Sequence, residues 1–263
     1  MKIEIGESLA LSYLKHVKKC VIYQNNWKIS SRWRESDKGK NKKNTTLEEK
    51  IFNEIKTRFN GVFKSSFNQT IKQAEIDVLG MDKEGKIYAI DIAYHEKGLS
   101  YDKDNNVTKN KMIKKLLRSY LILLSYFPDR DYEIIFASPK VREATESIII
   151  QSFNDLNTFF DNNVELQNKV KLKNNVEFKY ISNEEFRKEI LDKTIKASEK
   201  DSDTNELFMR SYKLLELFDR VSNIAKEEID LDTEIPPIAS LVLEFKPSDE
   251  NAIQEGTNKN QTG

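Results

Sequence analysis

The runs Gln73-Ala74-Glu75-Ile76-Asp77-Val78-Leu79-Gly80 and Ile87-Tyr88-Ala89-Ile90-Asp91-Ile92-Ala93 place carboxylates among residues that otherwise read as β-strand. A carboxylate in such a setting is costly unless it is paired or binds a cation. Alternate residues of a strand share a face, so Glu75 and Asp77 point the same way. The link Met81-Asp82-Lys83-Glu84-Gly85-Lys86 suits a hairpin, which would bring Asp91 opposite them. Three converging carboxylates would hold a hard, oxygen-preferring divalent cation such as Mg²⁺, with Mn²⁺ as a substitute. The plainer reading pairs Asp77 and Asp91 with basic residues across the sheet and sends Glu75 to solvent.

Basic residues follow the acidic hairpin directly. Lys111, Lys114, Lys115 and Arg118 recur at i, i+3, i+4 and i+7, one stripe of a helix. Such a stripe either contacts phosphates or is an ordinary solvated face. Lys38, Lys40, Lys42 and Lys43 form a second basic patch in a polar loop. Tyr94-His95-Glu96-Lys97-Gly98 reads as a polar turn, in which His95 has no required chemical role. Trp27 and Trp33 are more simply core residues than base-stacking platforms, and His16 is most simply a surface residue.

These residues need elements to hold them. Glu7 to Lys18 reads as a helix with Ala10, Leu11, Leu14 and Val17 on one stripe, and Cys20 to Ile29 as a strand. Thr46 starts a second helix, with Glu49 three residues on as in a capping box, and Gly61 ends it. After the hairpin, 107–127 is an amphipathic helix with Ile113, Leu116, Leu117, Tyr120, Leu121 and Leu124 facing a core. A strand over 132–137, a helix over 142–160 and a strand over 176–181 follow. This alternation predicts an α/β fold, a central sheet with helices on its faces.

The order of elements and the acids resemble the PD-(D/E)XK, or restriction-endonuclease-like, nuclease superfamily. The residues carrying the resemblance are Gly6-Glu7, Ala10, Tyr13-Leu14, Asn26-Trp27-Lys28, Glu75-Ile76-Asp77 and Asp91-Ile92-Ala93, over roughly residues 5–180. It implies a mixed central sheet flanked by helices, with metal ligands on the second and third strands. Asp77 and Asp91 would be the ligands, assisted by Glu75 or by Glu7 from the first helix; Glu48 is the rival first-helix acid. Residues 31–70 would be an insertion. Ala93 stands where the motif carries a lysine that positions water and steadies charge on the phosphate. Lys97, Lys111, Lys114 and Lys115 are the candidates to replace it.

Composition narrows the partners. The 263 residues hold 43 basic and 43 acidic side chains, so any nucleic-acid surface must be local. A single cysteine, Cys20, excludes an intramolecular disulfide framework and a cysteine zinc site, and suits a reducing cytoplasm. No run reaches the roughly 20 apolar residues of a membrane helix. The expected organisation is a nuclease-like core over 1–195, a helical appendage over 196–246 and a disordered tail over 247–263. The expected activity is Mg²⁺-dependent hydrolysis of DNA phosphodiester bonds, in restriction, phage defence or repair. The alternative is a catalytically degenerate protein of that fold that binds nucleic acid or a partner. The amphipathic helix over 207–229 would serve a homodimer or partner contact, or pack on the core.

Overall fold

The computed structural model describes residues 4–29, 46–95, 98, 99, 102, 104–162, 175–199 and 205–229. A five-stranded mixed sheet carries strands in the order β1 (Ile22–Lys28), β2 (Glu75–Met81), β3 (Ile87–Ile92), β4 (Tyr132–Ser138) and β5 (Val176–Ser182). The first three strands form an antiparallel meander, and β4 and β5 continue parallel to β3. A parallel pair needs a crossover. Here α4 (Asn105–Tyr126) links β3 to β4, and α5 (Glu143–Asn162) links β4 to β5.

Strand β4 is buried along its whole length, as a strand covered on both faces must be. On one face, Ala89, Ile134, Phe136 and Phe178 pack against Met112, Ile113, Leu116, Leu117, Tyr120, Leu121 and Leu124 of α4. The predicted apolar stripe of that helix is thus the buried one. Each such aliphatic side chain contributes about 1.5–3 kcal/mol on burial. Trp27 joins this side, edge-on to Tyr126 at 5.0 Å, so it packs rather than presenting a face to a base.

The other face is covered by α1 (Ile5–Ser12, continued as a π-helix over Tyr13–Val17) and by the helical run α6 over 183–198. Leu9, Ala10, Tyr13 and Leu14 meet Val78, Tyr88, Ile90, Ile135 and Ala137 there. Gly80 lies under this helix. A Cβ at Gly80 would come within 2.8 Å of Cys20 Sγ and 2.9 Å of a Leu14 methyl, so the crossing requires glycine.

The insertion contributes α2 (Leu47–Arg58) and a short α3 (Phe67–Lys72) that periodicity did not predict. Thr46 caps α2 by accepting from Glu49 N at 3.3 Å, half of the predicted capping box. Gly61 follows with φ 85°, the left-handed turn expected after that helix. Residues 183–198, without a predicted element, are helical because Phe186 and Ile190 bury against the second core.

The chain divides into two units, Met1–Glu216 and Leu217–Gly263, so the first runs beyond the expected boundary at 195. The reason is local. Glu206 meets Lys15 Nζ at 2.9 Å and His16 Nε2 at 3.4 Å, and Phe208 N donates to Ser8 Oγ at 2.9 Å. His16, expected at the surface, is therefore buried. The last described helix, α7 (Leu207–Ile229), begins at this anchor. No described helix is long and apolar enough to cross a membrane. The loop patch Lys38 to Lys43, Trp33, Lys97, the predicted strand over 241–245 and the tail lie outside the described residues.

Candidate active site

The β2–β3 ladder pairs Met81 with Ile87 through Val78 with Ile90. The next two residues, Asp77 and Asp91, carry the acids. Asp77 takes the place of a backbone acceptor there: its Oδ2 accepts from Ile92 N at 3.0 Å. The site therefore lies where the two strands part.

Asp91 is 1% exposed and faces α4. Its Oδ2 lies 3.1 Å from Ser119 Oγ, whose single proton is shared with Lys115 O at 3.2 Å. Its Oδ1 is buried without a well-formed hydrogen bond. Lys115 Nζ lies 3.4 Å from that oxygen and 3.6 Å from Asp77 Oδ2. These contacts are ion pairs, longer than a charge-assisted hydrogen bond. One ammonium thus serves two carboxylates. Burial pushes the Asp91 carboxyl up to about 6; Lys115 opposes the shift, the Asp77 charge adds to it, and Ser119 opposes it. That direction reflects a carboxylate short of positive charge.

The other predicted residues are placed apart from this pair. Glu75 is directly opposite Lys28 on β1 and meets its ammonium at 3.0 Å; it is partly solvated, as its plainer reading expected, and the cross-strand partner was not foreseen. Glu7 accepts from Asn26 Nδ2 at 3.0 Å. Asn26 adopts a left-handed φ of 52°, which asparagine tolerates better than most residues. The Gly6-Glu7 and Asn26-Trp27-Lys28 segments of the sequence pattern are thereby in contact. Among the described residues, no group of three or more His, Cys, Asp or Glu side chains gathers as a metal cage.

On α4, Lys115 alone of the basic stripe bridges the acids. Lys111 is exposed, and Lys114 and Arg118 are half-buried. Arg118 Nη2 donates to Gln73 Oε1 at 3.2 Å, tying α4 to the residue pair before β2. The Ala93 side chain is buried in the apolar core between sheet and α4, so the motif position itself offers no charge. Ser119 was not predicted. Its signal was a hydroxyl one turn beyond Lys115 on a helix face of leucines, isoleucine and tyrosine.

The donor set fits a hard divalent cation: two carboxylates fixed by a backbone N–H and a hydroxyl, one oxygen left without a hydrogen bond, and a net electrostatic need for positive charge. Comparison with family models, with curated proteins and with solved structures finds no match.

Proposed function

We propose that this chain is a metal-dependent nuclease that hydrolyses DNA phosphodiester bonds, with Asp77 and Asp91 as ligands of Mg²⁺ or Mn²⁺. Lys115 stands in for the lysine missing at Ala93. The observation carrying this reading is the bridge of Lys115 across the two acids where β2 and β3 separate. The strand order, an antiparallel meander followed by a parallel strand reached through a helix, is what a restriction-endonuclease-like core would have.

Bound at the acids, Mg²⁺ would polarise a phosphoryl oxygen and make water a better nucleophile. The protein's own contribution is orientation and charge. Ile92 N–H fixes Asp77, and Ser119 fixes Asp91. The Lys115 ammonium, set against both acids, would offset negative charge growing on a phosphate held there. Attack of water would form a new P–O bond as the bond to the leaving deoxyribose oxygen breaks; the attacking water gives a proton to solvent and the leaving oxygen takes one from solvent.

The same bridge supports a second reading. With Lys115 already neutralising the pair and Ala93 in the motif position, the fold would bind nucleic acid or a partner without cutting. In either case α7 is the segment offered for a homodimer or partner contact. Supercoiled plasmid incubated with and without Mg²⁺ separates the readings. Nicking that requires Mg²⁺ and disappears in Asp77→Asn supports the nuclease. Binding without nicking favours the non-catalytic protein.

A further inference from the structure

Strand β5 is an edge of the sheet. In a parallel pair, alternate residues bond the neighbouring strand, and the residues between them turn N–H and C=O outward. Asn175 O accepts from Tyr132 N at 2.9 Å, so the odd-numbered residues of β5 serve β4. Phe178, an even one, is bonded from outside the sheet. Its N–H donates to Asn157 Oδ1 at 3.0 Å, and its C=O accepts from Asn157 Nδ2 at 2.9 Å. The Asn157 amide thus stands in for one peptide unit of a sixth strand. Two residues on, Tyr180 turns the same pair of groups outward, and no described residue bonds them there.

This bare stretch borders a cleft of about 510 Å³ between β5 and α5. Ile150 and Phe153 of α5 form an apolar wall, and Tyr180 faces it with its ring centroid 5.4 Å from that of Phe153. The Tyr180 Oη is buried without a hydrogen bond. Glu146 lies at the end toward Ser182. One of its oxygens, Oε1, accepts from both Ser182 Oγ and Asn183 Nδ2, the latter at 2.8 Å. Its other oxygen takes no hydrogen bond from a described residue, and Glu185, which also lines the cleft, pairs with no described cation.

We propose that this cleft is a docking groove for an extended segment of a partner protein, which adds to β5 as a sixth strand and sets an arginine or lysine against Glu146 and Glu185. Main-chain bonds to Tyr180 supply the hold, and the wall and the acids select side chains at alternate positions. A second copy added through the same edge would bring another pair of these carboxylates to the seam, so a basic segment is the favoured occupant. The groove is separate from the acidic pair and does not depend on its chemistry. Asp91, Phe136 and Tyr180 are successive partners across the sheet, so two strand spacings, roughly 10 Å, lie between them.

The test is fluorescence anisotropy with the full chain and a labelled, end-capped peptide of arginine, threonine, valine, threonine and arginine. An arginine at each end serves either strand direction. One control peptide carries glutamate for arginine, and a second is N-methylated on its three central nitrogens. Saturable binding of the first peptide is expected, with both controls weaker by about tenfold or more. Glu146→Gln keeps an acceptor for Ser182 and Asn183 and should weaken binding about fivefold or more. Ile150 is exposed, so Ile150→Lys leaves packing intact and should weaken binding about tenfold or more by repelling the arginine. Melting curves check that both variants are folded. Absence of saturable binding, equal affinity for the N-methylated peptide, or wild-type affinity in both variants would overturn the groove. A wild-type dimer in sedimentation that Ile150→Lys dissociates would assign the edge to a second copy and overturn the peptide partner.

Discussion

Asp91 and Glu133 are both buried carboxylates facing lysine, on opposite faces of one sheet and near opposite ends of its parallel strands. Burial drives both toward the neutral form, yet they end far apart. Glu133 accepts from Lys18 at 2.7 Å and Lys86 at 2.8 Å, with Lys179 at 3.3 Å. Against the cost of burial, those ammoniums hold its carboxyl down at about 2. Asp91 shares Lys115 with Asp77 and is pushed up to about 6. Three cations on one carboxylate make a closed structural tie joining α1, β3, β4 and β5. One cation on two carboxylates leaves Asp91 raised where Glu133 is lowered, the contrast on which the proposed metal site rests.

The largest effect expected on this contrast is catalytic. If the proposed nuclease reading holds, Lys115→Ala should lower turnover on DNA by about 100-fold or more while changing affinity little, as loss of a charge acting on the transition state would. Lys111→Ala should leave turnover near wild type. Single-turnover rates at saturating enzyme measure this, and equal turnover in Lys115→Ala and wild type would remove Lys115 from the mechanism.

Breaking the closed tie comes next. Glu133→Gln should cost about 2–3 kcal/mol at neutral pH, less than the ~3–5 for a fully buried pair because its lysines reach water. The folded pKa lies below the ordinary one of 4.5, so this stability is complete above about pH 4.5 and lost as pH falls toward 2. Urea unfolding at pH 7 and pH 3 should show the variant's deficit shrinking with acid.

The open pair should respond with the opposite sign. Asp91 has a folded pKa above the ordinary 3.8, so its ionisation destabilises the apo fold as pH rises from about 4 to 6. Asp91→Asn should therefore gain about 1–2 kcal/mol at pH 7 without metal, less than the ~3 set by the full shift because Lys115 loses a partner. The gain should vanish near pH 4. A loss of stability at pH 7 would mean that Asp91 is held as firmly as Glu133.

The smallest effect separates the third acid from the pair. Glu75→Gln removes a half-solvated cross-strand contact with Lys28 and should change stability by no more than about 0.5 kcal/mol. Metal-dependent cleavage should stay within about threefold of wild type, as no transition-state contact is lost. A loss in Glu75→Gln comparable to that in Asp77→Asn would instead return Glu75 to the metal site.

Much of this arrangement was legible from residue order. The stripe from Ile113 to Leu124 announced a helix and its buried face, and the two acidic apolar runs announced adjacent strands with an Asp–Asp focus. What periodicity missed is informative. The short helix after Ser66 is too brief to show a period, and the run after Ser182 is helical because Phe186 and Ile190 bury against partners distant in sequence. His16 looked like a surface residue because its partner Glu206 is 190 positions away.

The sequence by itself determined the α/β alternation, the position of Asp77 and Asp91 inside strand runs, and the absence of a lysine at 93, because these depend on local pattern and residue type. Only the tertiary structure decided that, of the described candidates Lys111, Lys114 and Lys115, it is Lys115 that meets the acids. Helical spacing puts Lys111, Lys114, Lys115 and Arg118 on one stripe. The rotation at which Leu116, Leu117 and Tyr120 bury themselves fixes that Lys115 and Ser119 point to β2 and β3. It also decided that Glu75 turns to Lys28 while Asp77 turns to Ile92 N–H. Strand alternation cannot reveal where two strands cease to pair, and that point is set by packing across the whole sheet.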